Sequence, residues 1–461
     1  MLNWDIKTLA SSLQRKEVSP VEVTEKMLER MNEKNEELNA YVTITNDLAM
    51  KQAKAAEQEI MNGNYKGPLH GVPIALKDNF LTKNIKTTIG SEIFKDYLPS
   101  YDGEVVKKLA DAGSVMLGKL NMHEFAYGTT GDRSYFGAVK NSYDHSKMSG
   151  GSSSGSGTAV ADALSYAALG TDTGGSIRIP SAYNGIVGMK PTFGRVSNRG
   201  IFPLSWTLDH TGPMTKTVYD NALLLTILSG YDAEDPYSVK TAEQDFTAAL
   251  GYELEDITIG VPTNKFFQTL DDEVKTSFNK AIETYKKLGC QVIDIEFPEP
   301  DNIIAAFRTI MQNEAYTLHE ERLQKYPDQW GTEVKERLLS ATDAKARDLV
   351  QAQQIRQKAI RTITNLFEKE EMDIIITPTV PIMPRDIDER EAHLNGETIP
   401  ISLLLNKFTG LFNATGFPSL SLPSYPATSS LPIGIQLTGN SFDESKIYQI
   451  AFLFEKELHR S

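Results

Sequence analysis

The sequence predicts an α/β protein that folds as one large domain. Apolar runs with strand character alternate with helical segments, as in the succession of 257–262, 271–288 and 291–297. Polar and glycine-rich residues follow several of the predicted strands, and open α/β sheets hold their chemistry at such strand ends. No repeat and no linker divides the 461 residues. We therefore expect one domain, although the length alone would allow two or three.

Composition narrows the class of protein. The net charge of −14 argues against a nucleic-acid surface, which needs clustered lysine and arginine. No apolar run is long enough to span a membrane, and the first residues lack the apolar core of a signal peptide. The only cysteine, Cys290, excludes an internal disulfide and fits a reducing compartment. We expect a cytoplasmic protein that acts on a small molecule and contacts neither membrane nor nucleic acid.

The first half of the chain alternates helices and strands. Pattern and turn signals predict helices at 4–34, 47–62 and 104–112, and strands at 72–77 and 114–118. Lys77 and Asp78 fall at the end of the first of these strands.

The second half continues this alternation around a long charged stretch. It contains a turn-rich segment (186–212), an apolar helix (218–230), a helical layer (301–370), a strand (372–381), an exposed loop (389–398), short strands within 413–438 and a closing helix (443–458).

Two Gly/Ser clusters between Met148 and Pro180 make acyl transfer the first hypothesis for the chemistry. A helix and a strand separate the clusters, and an alanine-rich apolar run of this length is not typical of a flexible linker. Glycine lets backbone N–H groups approach a ligand closely. A serine beside such groups supplies a nucleophile next to donors for a developing oxyanion.

Four hypotheses for the chemistry compete. The first is a serine hydrolase with Ser153 as nucleophile, because Gly151–Gly155 formally matches the G-x-S-x-G pattern, but no strand precedes it. The second is catalysis assisted by a histidine, but the histidines show no spacing that singles one out, and the absence of HExxH and CxxC patterns leaves a metal site without support. Lys77 ends an apolar strand, and a buried neutral lysine can serve as the base for a serine. The glycine turns could also bind a phosphate or carboxylate without catalysis.

Several ordered motifs resemble the amidase signature family of serine hydrolases. They are GVPIALKDNF, GKLNMHEFAYGT, GGSSSGSGTAV, GTDTGGSIRIPSAYNGIVGMKPTFGRVS, LDHTGPMTKTVYDNALLL and NATGFPSLSLP with LPIGIQLTG. The resemblance covers nearly the whole chain, from about residue 5 to about 458. It implies a single amidase domain over 1–461, with a central mixed sheet covered on both faces by helices. The signature core would span about 65–220 and a variable helical layer about 300–370.

The resemblance also implies site residues. It makes Ser176 the nucleophile, Ser152 (after a non-proline cis peptide bond) the proton relay and Lys77 the base. The backbone N–H groups of Thr173, Gly174, Gly175 and Ser176 would form the oxyanion hole. Supporting roles would fall to Ser153, Asp172 and Arg178. No cofactor is implied.

The substrate pocket is expected from segments 121–131, 301–320, 378–384 and 413–424. The residues that we expect there are Phe125, Tyr127, Gly128 and Thr129, with Phe307, Tyr316 and Ile382 as further aromatic or apolar candidates. These side chains favour an aryl or aliphatic amide. The oligomeric state does not follow from the sequence, since a helix at a subunit interface and a helix in the core have the same sequence pattern.

The sequence departs from the family pattern at two positions. Ser154 stands where the first cluster usually has a glycine, which would alter how closely this loop packs. Ile179 stands where many amidotransferase A subunits have glutamine, and this second departure bears on the branch. The SSNLARYDG-like run of those subunits is also absent. We therefore expect a stand-alone amidase. The alternatives are the A subunit of a tRNA-dependent amidotransferase, which hydrolyses glutamine to supply ammonia, and a non-catalytic binding protein on the same scaffold.

Overall fold

In the part of the chain that the structure describes, eleven strands form one mixed β-sheet, and two further strands form a separate hairpin. The computed structural model describes residues 1–252 and 256–460. Its strands are β1 (Tyr41–Ile44), β2 (Pro73–Lys77), β3 (Val115–Leu120), β4 (Ala167–Asp172), β5 (Val187–Lys190), β6 (His210–Thr215), β7 (Thr258–Pro262), β8 (Gln291–Ile295), β9 (Ile374–Pro378), β10 (Glu391–Leu394), β11 (Glu397–Pro400), β12 (Ser419–Pro423) and β13 (Gly434–Gly439).

The order of strands across the sheet is β1-β3-β2-β4-β6-β5-β12-β13-β9-β7-β8. Two parallel groups, β3-β2-β4 and β9-β7-β8, are joined by antiparallel strands between them. The sheet is therefore mixed and continuous, and the chain folds as the single α/β domain that the sequence predicts. The finer division into a signature core and a variable layer stays a prediction.

Fifteen helices within the described residues flank the sheet. They are α1 (Ile6–Gln14), α2 (Pro20–Leu38), α3 (Asn46–Met61), α4 (Glu104–Asp111), α5 (Ser154–Ala161), α6 (Arg178–Tyr183), α7 (Val218–Leu228), α8 (Lys265–Gln268), α9 (Asp272–Lys287), α10 (Pro300–Lys325), α11 (Thr332–Leu339), α12 (Ala346–Lys369), α13 (Ile401–Leu405), α14 (Thr409–Thr415) and α15 (Glu444–Leu458). None of these helices has the length and apolarity needed to cross a membrane.

The register of two central strands positions the site. β2 and β4 are parallel neighbours, with Leu76 opposite Leu169. Both strands are buried along their whole length. Because they run in the same direction, Lys77 at the end of β2 and Asp172 at the end of β4 lie at the same edge of the sheet.

The predicted helix over 4–34 is interrupted. α1 ends at Gln14 and α2 begins at Pro20, after Ser19 caps the second helix by accepting hydrogen bonds from the N–H groups of Val21 and Glu22. Proline at the first helical position has no N–H to leave unsatisfied, so it begins a helix well but cannot continue one.

The loop predicted over 389–398 is wrong, because β10 and β11 pair there as an antiparallel hairpin. Ala392 and Leu394 alternate with exposed residues and pack in a core cluster with Ile401. Asn395 and Gly396 both have positive φ. An Asn-Gly pair in this conformation is the turn that joins two-residue hairpins.

Candidate active site

Strand β2 delivers a fully buried lysine to the edge of the sheet. The side chain of Lys77 is 0% exposed. Its Nζ lies 2.7 Å from Ser152 Oγ and donates to Thr171 Oγ1 at 2.7 Å. Lys77, the base that the sequence predicts, thus connects the first Gly/Ser cluster to the end of β4.

Ser152 lies in the loop before α5. A cis peptide bond joins Gly151 to Ser152, at the position where the family resemblance implies one. Ser153 N–H donates to the carbonyl of Ser176 at 3.2 Å, and the Ser153 hydroxyl donates to the carbonyl of Thr171 at 3.2 Å. The two Gly/Ser clusters are therefore in direct contact, and the hydroxyl of Ser153 is engaged with the backbone.

Ser154 packs against a glycine. An added Cβ at Gly131 would lie 2.6 Å from the Cβ of Ser154. The serine that replaces the usual glycine of this cluster is thus accommodated because its neighbour has no side chain.

The turn between β4 and α6 carries Ser176. Gly175 in this turn has a φ of +121°, a conformation that residues with a side chain rarely adopt. A Cβ on Gly174 would lie 2.7 Å from Phe307. The sequence GTDTGGS thus places glycine where the backbone bends and where α10 approaches closely.

A buried ion pair holds this turn in shape. Asp172 Oδ1 accepts hydrogen bonds from Gly175 N–H at 2.8 Å and from Arg178 Nη2 at 2.9 Å, and Arg178 Nε donates to Asp172 Oδ2 at 3.0 Å. Asn413 Nδ2 also donates to Oδ1 at 2.9 Å. Burial by itself raises the pKa of Asp172, but Arg178 and Asn413 outweigh it and hold this pKa well below its ordinary value.

The surroundings of Lys77 favour its neutral form. Burial lowers the pKa of Lys77 to about 7, although the nearby carboxylates of Asp209 and Asp172 oppose this shift. Asp209 accepts a hydrogen bond from Thr173 Oγ1 at 2.5 Å, and burial raises its own pKa to about 6. A substantial fraction of Lys77 is therefore unprotonated at neutral pH and can accept a proton.

Backbone N–H groups at the Ser176 turn differ in what they contact. Gly175 N–H is engaged by Asp172, so this predicted donor already has an acceptor within the protein. Among residues 1–252 and 256–460, none accepts a hydrogen bond from the N–H of Thr173, Gly174 or Ser176. These three groups are free to stabilise negative charge on a ligand oxygen.

A cavity of about 120 Å³ opens beside Ser176. Three of the expected pocket residues, Tyr127, Gly128 and Thr129, line it together with the turn residues Thr173 and Gly174. The cavity is small compared with ligand sites of roughly 300–1,000 Å³. It therefore suits a substrate with a short acyl group.

The prediction of Phe125 as a pocket residue is not supported by the cavity. Its ring lies 4.8 Å from the Trp330 ring and 4.5 Å from the His319 ring, centroid to centroid, inside an aromatic cluster. The backbone turns at Phe125, which has a φ of +52°, and directs the next residues to the cavity instead. Phe307, Tyr316 and Ile382 are likewise not among the cavity residues.

Sequence reasoning missed the charged and polar wall of the cavity. Arg308, Met311 and Gln312 on α10 and Arg337 on α11 line it, with Asn406 after α13. Of the segments expected to contribute, 301–320 does so but 378–384 and 413–424 do not, whereas residues 402–406 do. The two arginines lie in helices that carry several other charged residues, so no pattern in the sequence distinguishes them.

Comparison with known proteins identifies the family. A model of the amidase family matches residues 22–448 of the chain. The chain belongs to the amidase signature family. It is therefore an enzyme of a family that acts on amide C–N bonds. The A subunit of glutamyl-tRNA(Gln) amidotransferase from Geobacter sp. (strain M21) is 38% identical over 475 residues, which cover 98% of this chain and 96% of that protein.

Solved structures of other proteins share the whole fold with this amidase. One belongs to a vestigial protein complex that reveals the evolutionary origins of an s-triazine catabolic enzyme. It has a TM-score of 0.94 and 29% identity, and covers 98% of each chain. A bacterial aryl acylamidase of the amidase signature family has a TM-score of 0.90 and 26% identity, and covers 98% of this chain and 96% of its own.

Proposed function

We propose that this amidase hydrolyses a carboxamide through an acyl-enzyme intermediate on Ser176, with Ser152 as proton relay and Lys77 as base. The observation that carries the proposal is the 2.7 Å contact between Lys77 Nζ and Ser152 Oγ in a fully buried site. A lysine that is neutral near pH 7 can take the part that histidine takes in other serine hydrolases.

The acylation step moves one proton through the relay. Neutral Lys77 takes the proton of Ser152 as Ser152 takes the proton of Ser176, and the Ser176 oxygen attacks the amide carbonyl carbon. The C–N bond then breaks, and the proton returns through Ser152 to the leaving amine. Ser176 now holds the acyl group as an ester.

Deacylation repeats the relay with water. The relay accepts a proton from water, whose oxygen attacks the ester carbonyl, and the proton passes to Ser176 as the acyl C–O bond breaks. In both steps negative charge develops on the carbonyl oxygen. The N–H groups of Thr173, Gly174 and Ser176 would stabilise that charge, and loss of one such donor typically costs about 10²–10³ in rate.

The pH dependence of the reaction tests the role of Lys77. Only its neutral form accepts a proton, and its pKa lies at about 7. As the pH falls through this value the base becomes charged, so we expect kcat/KM to fall roughly tenfold per pH unit below about 7. Stopped assays across the acidic range measure this limb.

A variant of the neighbouring carboxylate provides the control for this profile. Asp209 raises the pKa of Lys77 through its negative charge. Asp209→Asn is therefore expected to move the acid limb to lower pH. An acid limb that stays flat down to about pH 5 in the unsubstituted protein contradicts the assignment of Lys77 as base.

Covalent labelling tests the nucleophile. The purified chain, without any partner, is treated with a serine-reactive fluorophosphonate, and the adduct is located by peptide mass spectrometry. We expect one adduct, on Ser176, and strongly reduced labelling in Lys77→Ala because the base no longer activates the relay. An adduct on Ser153 would instead support the G-x-S-x-G hypothesis. No labelling, together with no amide hydrolysis, would support a non-catalytic binding protein.

A second candidate function rests on the relatives. The 38% identity to an amidotransferase A subunit, over 98% of the chain, favours a subunit that hydrolyses glutamine for a partner. The departure at Ile179, the absence of the SSNLARYDG-like run and the similarity to an aryl acylamidase favour a stand-alone enzyme. Both functions use the same acyl-enzyme chemistry. They differ in the substrate, so the choice between glutamine and other amides depends on the cavity beside Ser176.

A further inference from the structure

Two arginines face the cavity beside Ser176, and no aspartate or glutamate of the described residues lines it. Arg308 projects from α10 and Arg337 from α11, and both are half-buried. The other polar side chains of the wall are neutral, and they include Gln312 and Asn406. The cavity therefore carries two positive charges that its own wall does not neutralise.

Within the part of the chain that the structure describes, Arg308 contacts only neutral acceptors. Its Nη2 donates to the carbonyl of Leu403 at 3.1 Å and to Asn406 Oδ1 at 3.3 Å, and its Nε is buried without a partner. Burial lowers the pKa of Arg308. Glu314, a little further along the same helix, instead accepts hydrogen bonds from Ser205 and Thr207.

Arg337 is likewise without a carboxylate partner among the described residues. Its Nη1 donates to the carbonyl of Tyr127, and its guanidinium lies 5.3 Å from the centroid of the Tyr127 ring. Glu333, one turn earlier on α11, could pair with it, but this carboxylate is bound by Arg133 and Arg390, each at 2.7 Å. The guanidinium of Arg337 thus keeps donors available at the cavity.

Unpaired charges away from bulk water are costly, and a ligand of opposite charge removes that cost. Arginine binds carboxylate with two parallel hydrogen bonds, and such charge-assisted bonds are about twice as strong as neutral ones. On the basis of the proposed hydrolysis at Ser176, we propose that the amide substrate carries a carboxylate on a short acyl chain, bound by Arg308 and Arg337.

The same wall disfavours a substrate with a free ammonium group. An α-ammonium group beside the acyl carboxylate would meet two guanidinium groups and no acidic side chain of the described residues, and like charges at close range are unfavourable. Asn406 and Gln312 offer only neutral amide oxygens. The site therefore takes a monoamide of a simple dicarboxylic acid in preference to glutamine.

Three matched amides test the inference by ammonia release. Glutaramate (5-amino-5-oxopentanoate) carries the carboxylate, pentanamide replaces it with a methyl group, and L-glutamine adds the α-ammonium group. We expect kcat/KM for glutaramate to exceed that for pentanamide by about 100-fold and that for glutamine by at least about tenfold. Succinamate and butanamide repeat the comparison with one methylene fewer.

Arginine variants connect this preference to the two side chains. In Arg308→Gln and Arg337→Gln, the ratio of kcat/KM for glutaramate to that for pentanamide is expected to fall by at least about tenfold. Arg347→Gln, at an arginine with a 74% exposed side chain, is the matched control and should leave the ratio unchanged. Circular dichroism verifies that each variant is folded.

Binding provides a readout that does not depend on turnover. Glutarate, which has no amide to cleave, should bind to the Ser176→Ala variant in a calorimetric titration, and Arg308→Gln should weaken this binding by at least about tenfold. If pentanamide is hydrolysed as fast as glutaramate while Ser176 is labelled, the carboxylate inference is overturned but the proposed function stands.

If glutamine is the substrate with the highest kcat/KM, the argument against a substrate ammonium group is overturned and the amidotransferase function is favoured. Failure of labelling counts against the proposed function alone, and glutarate binding then decides the inference.

Discussion

Replacing Ser176 with alanine is expected to lower kcat for amide hydrolysis by at least about 10⁴-fold, because removal of the nucleophile in a serine hydrolase costs up to about 10⁶-fold. The variant keeps the backbone N–H groups of the turn and the Lys77–Ser152 contact. Only the attacking oxygen is lost. Ammonia release from the amide that the unsubstituted protein cleaves fastest measures the effect.

A neighbouring serine serves as the control. Ser153 is as buried as Ser152, and its hydroxyl donates to the carbonyl of Thr171. Ser153→Ala removes one neutral hydrogen bond, so we expect a much smaller loss than for Ser176→Ala. The assignment of Ser176 fails if Ser176→Ala retains more than about a tenth of the activity, or if Ser153→Ala is the more severe variant.

The parts of the candidate site that the sequence can predict are those carried by short, local patterns. Alternating apolar residues predict the strand that ends at Lys77, and the structure confirms it as β2. The glycines before Ser176 predict a turn, and they are needed where the backbone bends and where Phe307 approaches. Each of these signals lies within about ten residues, so the sequence alone reveals it.

The residues that line the cavity beside Ser176 cannot be predicted in the same way. Arg308 and Arg337 line the cavity, yet they occur in helices that carry several other charged residues, some exposed and some partly buried. Which of these charges faces a cavity depends on how α10 and α11 pack against the sheet, and this packing is not local. For Phe125 the sequence predicts a place in the substrate pocket, but its aromatic ring is buried in a core cluster instead.

The hairpin at 391–400 has a sequence signal that is easily overlooked. Asn395-Gly396 between two short alternating segments is a strong hairpin signal. The flanking acidic residues favour an exposed loop instead, because only Ala392 and Leu394 on one face of β10 are apolar. Short strands with one polar face carry too few apolar residues to stand out from a loop.

Replacing Arg178 with methionine is expected to lower the free energy of unfolding by about 3–5 kcal/mol, since removal of one partner leaves a buried, uncompensated charge. Both side chains of the Arg178–Asp172 pair are 0% exposed. Arg178 also donates to Gln436 Oε1 at 2.6 Å and to Asn413 Oδ1 at 2.7 Å, so these acceptors lose a donor as well. Urea unfolding followed by fluorescence at pH 7 measures the loss.

The pH dependence of this loss separates charge from packing. In the unsubstituted protein the pKa of Asp172 is held well below its ordinary value, so the carboxylate contributes stability above its unfolded pKa, and this is lost only as pH falls through the folded value. Without Arg178, burial raises this pKa, and the acid can take up a proton instead of remaining an unpaired anion. The difference in stability between Arg178→Met and the unsubstituted protein should therefore shrink between pH 7 and about pH 4.

An exposed ion pair provides the comparison. Arg15 and Glu17 lie 2.8 Å apart with side chains 60% and 52% exposed. Arg15→Met should change the free energy of unfolding far less than Arg178→Met does, because water screens such a pair. If Arg178→Met costs no more than Arg15→Met, or if its effect is the same at pH 4 and pH 7, the buried pair does not hold the Ser176 turn through its charge.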